Sequence, residues 1–151
     1  MEISIDAYFP ETYIPAENLR IEAYRKLARA TDEASIDRFE SELIDRYGRL
    51  PAEAKNLLDI ARLKSRAAAL GLTGIRWSGG TLTLSGTGFG AEWVEVSRAL
   101  KPEAEALSWL GRFTIKGIGA SEVISFLTEL FSGIMAWLQS HEQRIGEGVD
   151  L

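Results

Sequence analysis

The sequence contains no cysteine and a single histidine, His141. Disulfides and thiol chemistry are therefore excluded, and a zinc site would have to rest mainly on carboxylates, which is unusual. No nucleophile elbow and no phosphate-binding loop ending in Gly-Lys-Ser/Thr occurs. The segment "GTGFG" lacks the rest of a βαβ unit and indicates a turn. We therefore expect no catalytic residue, no metal ligand and no bound cofactor.

Clustered basic residues are also scarce, since 17 Lys and Arg face 22 Asp and Glu for a net charge of −5. A nucleic-acid surface normally gathers its cations on one face. Here they are interleaved with apolar residues, which favours solvated helix faces and no direct contact with nucleic acid. The alternative hypothesis is a nucleic-acid-binding appendage that uses the basic faces of the first and third helices, namely Arg25, Lys26, Arg29, Arg62 and Arg66.

Long apolar runs are missing too. The most apolar segment, Val123 to Leu138, has 16 residues and contains Glu129, which is short for a membrane span. The first ten residues, "MEISIDAYFP", are acidic and alternating and do not resemble a signal peptide. We expect a cytoplasmic location without membrane contact.

The N-terminal half has the periodicity of helices. Alternation in "EISIDAYF" first predicts a short strand. A helix is then predicted from Ala16 to Ala30, and Thr31 is the expected N-cap of a second helix that stops at Gly48. Pro51 starts a third helix that runs to about Leu70.

The pattern changes after Gly71. Two short strands joined by a Gly79-Gly80 turn are predicted, followed by a helix over "AEWVEVSRAL", a strand over "LGRFTIKG" and a long helix from Ser121 to Ser140. The fold class is α+β, with a helical N-terminal half followed by a small antiparallel sheet packed with helices. We expect one domain over residues 1–140 and a frayed tail over 141–151.

The second helix carries acids near its C-terminal end, where the helix dipole disfavours them by ~0.3–1 kcal/mol each. On a helical wheel Glu42 and Asp45 lie about 60° apart and opposite the apolar stripe. One interpretation is ordinary pairing of Glu42 with Arg38 and Arg46, one turn away on either side. The other is that the two carboxylates face arginines of a partner, because such pairs accept forked hydrogen bonds.

Several segments resemble a known family. "DAYFPETYIP", "ELIDRYGRLP" and "NLLDIARLKSRAAALGL" are together similar to the C-terminal domain of the bacterial transcription-repair coupling factor, Mfd. The likeness covers Ile3 to about Leu72, weakens across the predicted sheet and resumes only loosely in the last helix.

The resemblance implies a function without catalysis in this chain. The family's full protein is an ATP-driven DNA translocase that engages stalled RNA polymerase and recruits the excision-repair protein UvrA. Its C-terminal domain packs on an N-terminal UvrB-like module, covers the UvrA-docking surface and represses the motor. By resemblance, Glu42 and Asp45 correspond to the acidic pair that faces arginines of that module. Further interface candidates flank the pair on the wheel: Arg38, Ser41 and Arg46.

The last helix departs from the family by being unusually apolar. Its extra apolar residues indicate either a deeper core contact with the sheet or an adhesive surface that drives dimers of the isolated chain.

Overall fold

The computed structural model describes the backbone of residues 1–149 and the side chains of residues 1–141. Along the chain the elements are β1 (Glu2–Ile3), α1 (Glu17–Arg29), α2 (Glu33–Tyr47), α3 (Ala52–Ala69), β2 (Leu72–Ser78), β3 (Thr81–Gly86), α4 (Ala91–Leu100), β4 (Glu105–Trp109), β5 (Arg112–Lys116) and α5 (Val123–Val149). The chain divides into two compact units, one of residues Ile5–Arg66 and one of Met1–Ser4 with Ala67–Leu151. The α+β class is thereby confirmed, whereas a single domain over residues 1–140 stays a prediction.

The first unit is built on the apolar stripes of its helices. The stripe of α2 is buried as predicted, with Ile36, Phe39 and Leu43 between 0 and 7% exposed. Burial of each such side chain stabilises the fold by ~1.5–3 kcal/mol. These three residues join a core whose other buried members are Phe9, Tyr13, Ile14, Ala23, Ala54 and Leu58.

The segment before α1 differs from its prediction. Only Glu2 and Ile3 form a strand, although alternation suggested that it continues to Tyr8. Phe9 is buried instead, with its ring 4.8 Å from that of Tyr24, and its amide donates to the Tyr24 hydroxyl at 2.9 Å. Burial of this aromatic group in the helical core outweighs the hydrogen bonds that a longer strand would make.

Helix α2 begins and ends at residues with clear physical roles. Its N-cap is Asp32, one residue beyond the predicted Thr31, and the Asp32 carboxylate accepts from the Ser35 amide at 2.7 Å. Gly48, with φ of +87°, ends the helix as predicted. The Tyr13 hydroxyl lies 3.2 Å from the Leu43 carbonyl oxygen and 2.8 Å from that of Gly48. It therefore satisfies carbonyls at the end of the helix that carries the candidate site.

The second unit contains a five-stranded sheet in the order β1-β2-β3-β5-β4. Every neighbouring pair is antiparallel except β1 with β2. The Gly79-Gly80 turn is confirmed, and both glycines have positive φ, +57° and +85°. Strand β4 was not predicted. Its large apolar residues, Leu107 and Trp109, face solvent, whereas the apolar residues of a half-buried strand normally face the core.

Helices α4 and α5 cover the apolar face of this sheet. The Trp93 ring of α4 lies 5.8 Å from Phe113 of β5 and 6.4 Å from Phe131 of α5. Helix α5 approaches α4 closely at Gly133, where an added Cβ would meet Val96 Cγ1 at 2.6 Å. Residues buried in this core include Trp77, Leu82, Leu84, Ile115, Val123, Leu127 and Leu130.

Helix α5 is longer than predicted. Its backbone stays helical to Val149, beyond Ser140 and into the segment expected to fray, while residues 150 and 151 lie outside the described residues. Over Val123–His141 it is long and apolar enough to cross a membrane, and 33% of that window is buried. A core helix passes the same test, and five of its apolar residues are almost completely buried: Val123, Leu127, Leu130, Phe131 and Ile134.

Candidate functional site

The candidate site lies on the surface of α2 that faces away from the core. Because Ile36, Phe39 and Leu43 point inward, the residues between them point outward or sideways. All five predicted contact residues are exposed: Arg38, Ser41, Glu42, Asp45 and Arg46. The structure therefore places them together on one helix surface, as the wheel predicted.

Among the described side chains Glu42 makes one ion pair, and its partner is not the predicted one. Its Oε1 lies 2.8 Å from Lys26 Nζ on α1, and the two side chains are 48% and 38% exposed. Arg38 donates to the Ser35 hydroxyl at 3.2 Å instead, and the Arg46 guanidinium lies 5.7 Å from the Tyr47 ring centre. Pairing within α2 is thus wrong as an explanation of Glu42, and its carboxylate keeps acceptor capacity toward solvent.

Asp45 is the more available of the two acids. It is exposed, and among the side chains that the structure describes no ion pair or hydrogen bond involves its carboxylate. It also lies in the last turn of α2, where the unsatisfied carbonyl groups make a negative charge unfavourable. Nothing in the described part of this unit therefore accounts for an acid at this position.

A narrow groove between α1 and α2 adjoins the acids. Its cavity volume is about 20 Å³, roughly enough for one water molecule. Glu22 of α1 lines it beside Lys26 and adds a third exposed carboxylate, which was not among the predicted contact residues. Glu22 lies one turn before Lys26 on α1. Its place beside the acids of α2 could therefore be recognised once α1 and α2 were known to be neighbours. The groove is lined by Leu19, Glu22, Ala23, Lys26, Phe39, Glu42, Leu43, Arg46 and Tyr47.

On its opposite flank, α2 is linked to α3 by ion pairs. Arg62, 18% exposed, donates to Asp37 at 2.9 Å, to Asp59 at 3.3 Å and to Glu40. Burial alone lowers the pKa of Arg62, but its hydrogen bonds to Glu40 and Asp37 outweigh that effect and raise it. Burial raises the pKa of Asp59. The acids on this flank are structural and are not free for a partner.

The same pairs weaken the nucleic-acid alternative. Arg62 is held as described above, and Arg66 donates to Glu33 at 2.8 Å. Lys26 is paired with Glu42. Of the five cations in the proposed basic faces, only Arg25 and Arg29 make no ion pair among the described side chains, which is too few for a phosphate-tracking surface.

No metal site stands out in the described part of the chain, where no group of three or more metal-ligating side chains occurs. The candidate site thus consists of two outward carboxylates one turn apart, with a third carboxylate across the narrow groove.

Comparison with known proteins shows which family of domains the chain resembles in fold and in sequence. Its fold is similar to a solved structure described as the C-terminal domain of transcription-repair coupling factor, with a TM-score of 0.76, 21% identity and coverage of 92% of both chains. The likeness extends over the sheet and the last helix, where the sequence resemblance was weak. The model of the TRCF domain family matches residues 3–88. The chain belongs to the TRCF domain family, which confirms the resemblance seen in the sequence.

Curated relatives carry the same name. The transcription-repair-coupling factor of Escherichia coli (strain K12) is 40% identical over 72 residues, which is 48% of this chain. That of Mycobacterium tuberculosis (strain CDC 1551 / Oshkosh) is 37% identical over 75 residues, or 50% of this chain. In each case the match spans about 6% of the relative. The chain corresponds to a small part of those proteins.

Proposed function

We propose that this chain is a non-catalytic regulatory and interaction domain of a DNA-translocating transcription-repair coupling factor in the bacterial cytoplasm. It binds the UvrB-like module of the same parent protein through Glu42 and Asp45. In doing so it masks the UvrA-docking surface and represses the motor until contacts of the parent with RNA polymerase release it. The observation that carries the proposal is the exposed Asp45 carboxylate, beside a Glu42 whose only ion pair among the described side chains is with Lys26.

Charge-assisted contacts suit a releasable interaction. An exposed ion pair contributes ~0–1 kcal/mol, and partly desolvated pairs between proteins contribute several times more. Tethering within one protein raises the effective concentration of the partner, so a contact of a few kcal/mol is sufficient to keep the module closed. Competing contacts can then shift the population to the open form.

The test is a binding measurement between this chain and the separately produced UvrB-like module over a salt series. The double variant Glu42→Lys and Asp45→Lys should abolish binding, because it turns two attractions into repulsions. Circular dichroism of the variant should match the wild type, since both side chains are exposed.

A matched control reverses two other exposed acids, Glu95→Lys and Glu103→Lys. It changes the net charge equally and should leave binding intact. Unchanged affinity in the Glu42/Asp45 variant, or an equal loss in both variants, would remove the assigned role. Masking is tested separately, because wild-type chain should compete with UvrA for the module and the Glu42/Asp45 variant should not.

A further inference from the structure

Strand β4 leaves one edge of the sheet open. It is last in the strand order and pairs only with β5. The two strands are joined by a two-residue loop, Leu110 and Gly111, so the flanking pair Trp109–Arg112 closes the hairpin with hydrogen bonds. Because hydrogen-bonded and non-hydrogen-bonded pairs alternate, the main-chain groups of Ala106 and Ser108 point away from β5. Outside the β4–β5 ladder, no backbone hydrogen bond in the described residues uses them.

The same strand exposes large apolar side chains. Leu107 is 64%, Trp109 75% and Leu110 96% exposed. Edge strands are normally protected by lysine, proline or a bulge. Strand β4 has none of these, and its single charged residue is Glu105.

We propose that this edge is a self-association site, occupied by β4 of a second copy of the chain in antiparallel pairing with Leu107 on the two-fold axis. In this register Ala106 faces Ser108 of the second copy, and both pairs exchange their free N–H and C=O groups. Leu107 faces its counterpart in a non-hydrogen-bonded pair, where side chains lie closest.

The unprotected apolar edge supports a second copy as the occupant, because such an edge is a template for pairing with another copy of the same chain. Glu105 faces Trp109 of the other chain in this register, so no like charges oppose each other, and like charges directly opposite would be destabilising. The pairing satisfies the same main-chain groups in both chains, as an isologous contact requires.

The size of the contact predicts its strength. A stable dimer usually buries about 800 Å² per partner, and one strand with a few side chains offers less. We expect a dissociation constant of roughly 10–100 μM, which makes association visible only over a wide concentration range.

Cross-linking tests the register. The chain has no cysteine, so Leu107→Cys introduces a unique thiol. In the proposed dimer the two Cα atoms are about 4.5 Å apart, within the range of about 4.4–6.8 Å found in disulfides. The matched variant Trp109→Cys places its two thiols four residues apart along the strands, about 13 Å. Under mild oxidation Leu107→Cys should form disulfide dimers at least about tenfold faster than Trp109→Cys.

Sedimentation tests the surface independently of the thiols. From about 5 to 500 μM, a span set by the expected affinity, the wild type should shift from monomer to dimer. Leu107→Lys should stay monomeric, and Leu138→Lys, a change at an exposed apolar residue of α5, should behave as the wild type. A monomeric wild type throughout, equal cross-linking at positions 107 and 109, or loss of association only in Leu138→Lys would overturn the proposal.

Discussion

Lys26 competes with any partner for Glu42. Its Nζ lies 2.8 Å from Glu42 Oε1 in a half-exposed pair, which contributes ~0–1 kcal/mol. A partner that binds Glu42 must therefore displace or share an existing cation, whereas Asp45 has no such competitor among the described side chains.

Lys26→Ala should tighten binding to the UvrB-like module, because it frees Glu42 and removes a positive charge facing arginines. The expected gain is about two- to fivefold in Kd, from a contribution of ~0.5–1 kcal/mol. Isothermal titration at low salt measures it. Lys64→Ala is the control, because Lys64 is exposed and makes no ion pair among the described side chains. Weaker binding by Lys26→Ala would show that Lys26 belongs to the interface itself.

Asp32 makes part of the stability depend on pH. The Ser35 amide holds the pKa of Asp32 below its usual range. Since the folded-state pKa is lower than the unfolded one, this contribution is complete above the unfolded pKa of about 3.9 and is lost as pH falls through the folded pKa.

Asp32→Asn keeps a capping oxygen but removes the charge. The difference in Tm between wild type and Asp32→Asn should be constant above about pH 5 and shrink as the pH falls below about 3.9. Thr31→Ala should change Tm little at any pH, because Thr31 is not the cap. Thermal denaturation followed by circular dichroism checks both, and a pH-independent difference would contradict the assignment.

At the scale of elements, Arg62 joins α2 to α3. Arg62→Met keeps much of the apolar stem but leaves Asp37, Glu40 and Asp59 without their shared cation. With the arginine only 18% exposed, the loss should be about 1–3 kcal/mol of unfolding free energy, reduced by the remaining solvent screening.

Urea denaturation measures this loss, with Arg25→Met as the control because Arg25 is exposed and makes no ion pair among the described side chains. Equal effects of the two substitutions would mean that the Arg62 pairs contribute nothing measurable.

The elements differ in how well the sequence predicts them. Helix α2 was predictable because Ile36, Phe39 and Leu43 repeat at helical spacing and Gly48 stops the chain. The outward direction of Glu42 and Asp45 followed from the same wheel. The Lys26–Glu42 pair could not be predicted, because it depends on which helices are neighbours.

Strand β4 and the segment before α1 were missed for the opposite reason, since each breaks the rule that apolar residues point inward along a regular period. Leu107 and Trp109 face solvent from a strand. Phe9 is buried from an irregular segment, where no period exists to be recognised.

At the scale of the whole molecule, the burial of α5 determines whether its apolar residues pack in the core or are available to bind a membrane. The wild-type chain should not float with phosphatidylcholine vesicles, because the apolar side chains of α5 that would enter lipid are in large part already buried. Leu130→Asp places a charge at a fully buried position and should increase vesicle binding by loosening the core. Flotation of the folded wild type would contradict the packed arrangement.

The Tyr13 hydroxyl, which lies against the Leu43 and Gly48 carbonyls, has a consequence for the rate of the proposed contact between the acidic surface and its partner. The last turn of a helix commonly frays. Here the Tyr13 hydroxyl contacts carbonyl groups of the last turns from outside the helix. The entropic cost of ordering the backbone, ~1–2 kcal/mol per residue, is therefore met during folding and not when a partner binds. In the proposed complex Asp45, which lies in this last turn, would then need no further ordering to meet its partner.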